Sequence, residues 1–139
     1  MKPEFINIIA PGAKNTKELV TELNAQLPNS DINNPIRLAA FLTHTAFRTE
    51  DYFNLSRGLL ALSDENIARY GNPITDMRTA VDSAVWFWEV SKLSKIADTE
   101  DQKALLVAIN GLEVASRIPH WDIQSAYKLN LIAISFARL

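Results

Sequence analysis

From Thr16 to Ala137 the apolar residues of this chain recur every three or four positions, and Pro, Gly, Asn and Ser fill the breaks between the runs. Spacing of i, i+3, i+4, i+7 lays apolar side chains along one face of a helix, whereas a half-buried strand needs strict alternation. No segment has the alternating, turn-bounded pattern of a hairpin. The expected fold class is all-α, with about six helices in a single domain over residues 1–139 and no linker.

The expected helices follow from their stops. Thr16 can cap a helix carrying Leu19, Leu23 and Leu27, which Pro28-Asn29-Ser30 ends. A second starts at Asn34, with Pro35 at the first position where its missing N–H costs nothing, and runs through Ile36, Ala40, Thr43 and Phe47. Ser63-Asp64-Glu65-Asn66 opens a short helix that Gly71-Asn72-Pro73 breaks. Met77, Val81, Ala84, Val85 and Trp88 share one face of a long helix expected from about Thr75 to Leu93. Thr99-Glu100-Asp101-Gln102 resembles a capping box before a helix that ends at Asn110-Gly111. The last helix is expected from about His120 to Ala137, after Ile118-Pro119.

Composition excludes several function classes. Fourteen basic and sixteen acidic residues leave a net charge of −2 with no long block of either sign, so nucleic acid is not an expected partner. The chain has no cysteine, which removes thiol nucleophiles, thiolate metal sites and disulfides. Near the N-terminus an apolar run of only a few residues is interrupted by Asn7 and followed by Pro11-Gly12, too little for the core of a signal peptide. The longest apolar stretch near the C-terminus, LNLIAISFARL, is interrupted by Asn130 and Ser135 and is well short of the ~20 residues a membrane span needs. A cytoplasmic location without membrane attachment is the expectation.

The residues that carry chemistry are sparse. His44 and His120 have no H-E-x-x-H or similar spacing, so each is read as an imidazole with one hydrogen bond, and neither metal nor cofactor is expected. There is no phosphate-cradling glycine loop and no G-x-S-x-G elbow. Trp86 and Trp88 are two apart on a helix and point in different directions, so the Val85-Trp86-Phe87-Trp88 cluster is read chiefly as core. Glu50 and Asp51 are adjacent and do not supply the two carboxyl groups, ~6.5–9.5 Å apart, that an inverting glycosidase sets across a bond.

Four segments in order resemble one family. Residues 32–53, INNPIRLAAFLTHTAFRTEDYF, are similar to the catalytic-helix region of family 19 glycoside hydrolases, the chitinases and phage endolysins, whose pattern is I-N-T-P-L-R-x-A-x-F-L-A-Q-x-A-H-E-S-G-G-F. Residues 56–71, SRGLLALSDENIARYG, resemble the family's G-R-G-L-I-Q-L-T-G-R-x-N-Y-x-x-Y-G. Residues 80–88, AVDSAVWFW, resemble A-x-x-S-A-x-W-F-W, and Ala108-Ile109-Asn110-Gly111 resembles the start of the I-N-G-G turn. The resemblance implies a compact lysozyme-like bundle built on the family 19 chitinase-like core.

The departures fall where the family does its chemistry. Ungapped alignment sets Phe47 at the family's His and Arg48 at its catalytic Glu. A guanidinium stays protonated and cannot give a proton to a leaving oxygen. Only eight residues separate Arg48 from Arg57, where the family has a long insertion bearing the second carboxylate and one cleft wall, so one lobe is expected to be missing. Ala61 and Ser63 stand at the family's Gln and Thr, and Leu112 replaces the second Gly of the turn. Asp51 is a substitute acid only if the helix continues that far.

The resemblance therefore implies a pseudoenzyme with no catalytic residues, its degenerate cleft turned into a binding surface of Arg48, Glu50, Asp51, Tyr52, Arg57, Tyr70 and Asn110. The expected partner is another protein, such as a toxin or a cell-wall enzyme, which suits an immunity protein, an inhibitor or a phage or prophage accessory protein encoded by a bacterium or phage. A second copy of the chain is the other protein partner considered. The alternative is a remnant that binds peptidoglycan or chitin fragments, with weak or no hydrolase activity.

Overall fold

The computed structural model describes residues 1–50, 52, 58–60, 63–111, 115–116 and 120–137, with the backbone alone at 120–122. The described residues are all-helical, without a strand. Eight α-helices can be bounded among the described residues: α1 (Pro3–Ile9), α2 (Thr16–Gln26), α3 (Pro35–Arg48), α4 (Asp64–Tyr70), α5 (Met77–Val90), α6 (Leu93–Ala97), α7 (Gln102–Asn110) and α8 (His120–Ala137). A 3-10 turn, Leu27–Asn29, follows α2.

Local chemistry places most of the starts. Asn34, Ser63, Asp76 and Asp101 each have extended backbone, and their side chains accept the N–H of Arg37, Asn66, Thr79 and Ala104. Each satisfies one of the N–H groups a helix leaves unpaired at its first turn. Gly71 and Gly111, with φ of 86° and 85°, end α4 and α7 in a region that disfavours side chains. Thr16 is the first helical residue and not the cap; Asn15, in left-handed conformation, precedes it without a side-chain bond. At α7 the cap is Asp101, while Thr99 Oγ1 accepts the Asp101 N–H at 3.3 Å, so the capping-box expectation holds as a helix start but with different bonds.

The count of eight against the expected six comes from two places. The short helix α1 forms around Phe5 and Ile6, both buried, with Pro3 at its first position. The long helix expected to Leu93 stops at Val90. Leu93 would point about 140° away from Trp88 in a continuous helix. Instead the chain reverses at Lys92, in left-handed conformation, and Leu93 and Ala97 of α6 enter the core.

Helix α3 lies at the centre, packing most extensively against α8, while α2 packs on α5 and α1 bridges α2 and α8. Phe41 meets Trp88 edge-on, their ring centroids 5.5 Å apart. The Trp88 indole N–H donates to Ser94 Oγ at 2.8 Å, and Ser94 donates to Asp31 Oδ1 at 2.9 Å, which ties α5, α6 and the α2–α3 connection together. Asn130 of α8 donates to Thr43 Oγ1 of α3 at 2.8 Å, both buried. Tyr127 of α8 donates to Glu100 Oε1 at 2.8 Å; burial first, and the carboxylate second, raise its phenol above the ordinary value.

Candidate functional site

Two helix ends meet at Arg48. It is the last residue of α3 and is exposed, and its guanidinium donates to Oδ1 of Asn110, the last residue of α7, at 3.2 Å. Asn110 is itself oriented by its side-chain amide, whose N–H donates to the Leu106 carbonyl at 3.2 Å. The C-terminal turns of helices present unpaired carbonyls and partial negative charge, so this position favours a cation. Phe47, the residue at the resembled family's His, is 43% exposed beside it.

The chain leaves α3 at once. Thr49 caps the helix, and Glu50 and Tyr52 follow with φ of 52° and 65°. Helical continuation to position 51, on which a substitute acid depends, is therefore absent at Thr49–Glu50. Asp51 and Arg57 lie outside the described residues. Glu50 is exposed in its left-handed turn.

Tyr52 is corrected from a surface residue to a core one. It is 1% exposed, its hydroxyl donates to the Leu42 carbonyl at 3.0 Å and lies 2.7 Å from Thr45 Oγ1, and its N–H donates to Thr49 Oγ1 at 2.9 Å. These bonds hold the left-handed turn in place. A phenol so buried has no part in a binding surface.

Tyr70 ends α4 and lies against α5. Its ring meets Trp86 edge-on at 6.0 Å, and Arg69 lies over both, 5.6 Å from the Tyr70 centroid and 5.1 Å from that of Trp86. Arg69 Nε also donates to the Tyr70 hydroxyl at 3.1 Å. The cation–π contact occupies the aromatic surface of Trp86. Trp88, by contrast, is wholly buried, so the two tryptophans do point apart. Ser63, at the family's Thr, accepts the Asn66 N–H and donates to Asn66 Oδ1 as the α4 cap.

A general acid for glycoside cleavage is a carboxyl with raised pKa. The carboxyls that are shifted go the other way: the Thr79 backbone N–H holds Asp76 below its ordinary value, and the Arg37 hydrogen bond does so for Asp98. His44 is buried, and burial lowers its pKa to about 4 against a smaller opposing effect of Gln102. Gln102 gives its amide N–H to the Glu100 carbonyl, so its oxygen faces His44 Nε2 at 2.9 Å and Nε2 carries the proton. Among the described residues no three His, Asp or Glu side chains gather as a metal site. Among them, too, no helix is long and apolar enough to cross a membrane.

The site the sequence points to thus comes down to Arg48, Glu50 and Asn110 at the α3–α7 corner, with Phe47 as an added member that its exposure reveals. Tyr70 belongs to a separate cluster at the α4–α5 seam. No protein-family model, no curated protein and no solved structure matches the chain.

Proposed function

We propose that this chain is a non-catalytic helical domain, a pseudoenzyme related to the lysozyme-like core of family 19 glycoside hydrolases, that binds another protein at the α3–α7 corner. The observation that carries the reading is the Arg48–Asn110 pair. The residue at the place of the resembled acid is a cation held by a side chain from the resembled turn. A fold can outlive its chemistry, and its former site then becomes surface open to another use. Arg and exposed aromatic residues are the types enriched where protein interfaces gain their energy, and Phe47 and Arg48 stand side by side. A toxin or a cell-wall hydrolase is the partner class in keeping with the resemblance, in a bacterial or phage setting.

The test is capture of partners from host-cell lysate on immobilised wild-type, Phe47→Ser and Arg48→Glu proteins, with circular dichroism melts to establish that the variants fold. One protein recovered by the wild type and lost to both variants is the expected result. Identical recovery by all three overturns the reading, as does clearing of peptidoglycan or chitin by the wild type in a zymogram. Retention on insoluble peptidoglycan or chitin that Arg48→Glu abolishes would favour the glycan-binding alternative instead.

A further inference from the structure

Asn110 and Gly111 form a reactive pair as well as a helix end. Asn110 is the only asparagine of the chain that is followed by glycine. At the other asparagines the Cβ of the next residue crowds the approach of its own backbone nitrogen to the side-chain Cγ. Glycine removes that obstacle and widens the accessible backbone angles. At Gly111 φ is 85°, and no described atom beyond its chain neighbours lies within 4 Å of where a Cβ would stand, so a ring closing there has open space on that side.

Three hydrogen bonds keep the reacting atoms apart. The Gly111 N–H donates to the Val107 carbonyl at 2.8 Å. Asn110 Nδ2 donates to the Leu106 carbonyl and Arg48 donates to Asn110 Oδ1, each at 3.2 Å, the long end of the usual range. The first bond holds the nitrogen in the last turn of α7, and the other two hold the amide beside the preceding turn and the end of α3. Helix ends fray at low cost, so only this turn has to open for the nitrogen to reach Cγ. We infer that Asn110–Gly111 is a deamidation site latched by Arg48, through which the α3–α7 corner gains a carboxylate slowly and irreversibly.

The chemistry needs only solvent. The Gly111 nitrogen loses its proton to base and forms a bond to Asn110 Cγ; the Cγ–Nδ2 bond then breaks, and ammonia leaves with a proton returned by water. Water next opens the cyclic imide. Cleavage of the new Cγ–N bond leaves aspartate at position 110, and cleavage of the original backbone C–N bond leaves isoaspartate. Either product carries one more negative charge than the asparagine. A carboxylate at a helix C-terminus is disfavoured by the macrodipole, and the Arg48 guanidinium offsets this by pairing with it. The inference does not depend on a partner at the corner, and its readout involves none.

Wild type held folded at pH 8.5 should accumulate a more acidic species on isoelectric focusing. Peptide mapping should find aspartate and isoaspartate at position 110 before any other asparagine has changed. Asn110→Gln, whose longer side chain must close a larger ring, should yield no such species. Loss of one net hydrogen bond raises the open fraction about fivefold, so Arg48→Met, shown to be folded by circular dichroism, should convert about fivefold faster than wild type. Wild type unfolded in guanidinium, with no latch at all, should convert fastest. An Asn110 that stays intact in the folded wild type over many half-lives of the unfolded chain overturns the site, as does earlier conversion of another asparagine. Conversion of folded Arg48→Met no faster than wild type overturns the latch.

Discussion

At the scale of single residues, His44 is the group whose environment has the largest consequence. Its imidazole is neutral in the folded protein, with a pKa of about 4 against an ordinary 6.5, because burial penalises the cation. The unfolded chain takes up a proton near pH 6.5 and the folded one only near 4. The lowered pKa therefore contributes stability that is complete above the unfolded value and drains away as pH falls from about 6.5 to about 4, a total of about 3 kcal/mol. Urea midpoints at pH 7.5 and 4.5 should show a large fall for the wild type and a distinctly smaller one for His44→Leu, whose penalty at neutral pH is the lost bond to Gln102. Equal falls would mean that another group controls acid stability. The sequence supports one hydrogen bond for this histidine but neither its depth nor its partner, since Gln102 lies 58 positions away and only helix packing brings them together. Tyr52 was illegible for a related reason. Its position beyond a helix end reads as surface, and only the left-handed turn at Glu50 returns its ring to Leu42 and Thr45.

At the scale of elements, residues that act on their own neighbours were readable. Asn34 and Ser63 open α3 and α4 where side chains of their type are expected to cap, and Gly71 and Gly111 close α4 and α7. The break between α5 and α6 was not, because Lys92 carries no turn signal and the reversal there is enforced by burial of Leu93 and by the Trp88–Ser94 bond. This has a measurable cost. A residue with a Cβ in left-handed conformation is strained by about 1–2 kcal/mol, whereas glycine adopts it freely but has more freedom to lose on folding. Lys92→Gly should consequently stabilise the protein by about 0.5 kcal/mol, read as a rise in urea midpoint, because the difference between those opposing effects remains. A fall in midpoint would show that the lysine side chain contributes more than its conformation costs.

At the scale of the whole molecule, α3 is held to segments far along the chain by two buried polar contacts, Thr43 to Asn130 and His44 to Gln102, and by an exposed one, Arg48 to Asn110. Their spacing along α3 sets its register against α7 and α8, and so sets where the α3–α7 corner lies. Thr43 already gives its hydroxyl proton to the Ala39 carbonyl at 2.6 Å, so it can only accept from position 130. Asn130→Asp replaces that donor with an oxygen aimed at an oxygen and buries a charge without a partner, which costs about 3–5 kcal/mol. Burial raises the folded-state pKa of such a carboxyl above its unfolded value near 3.9, so the deficit relative to wild type shrinks as pH falls through the folded pKa. The protonated carboxyl regains an O–H donor for Thr43. Asn130→Leu, with no titratable group, keeps a deficit independent of pH and smaller, since Thr43 retains its own bond to Ala39. The difference in urea midpoint between each variant and the wild type, measured from pH 7.5 to 4.5, checks this: a gap that narrows for Asn130→Asp alone supports the bond's direction and its part in joining α3 to α8, and two parallel gaps would refute both.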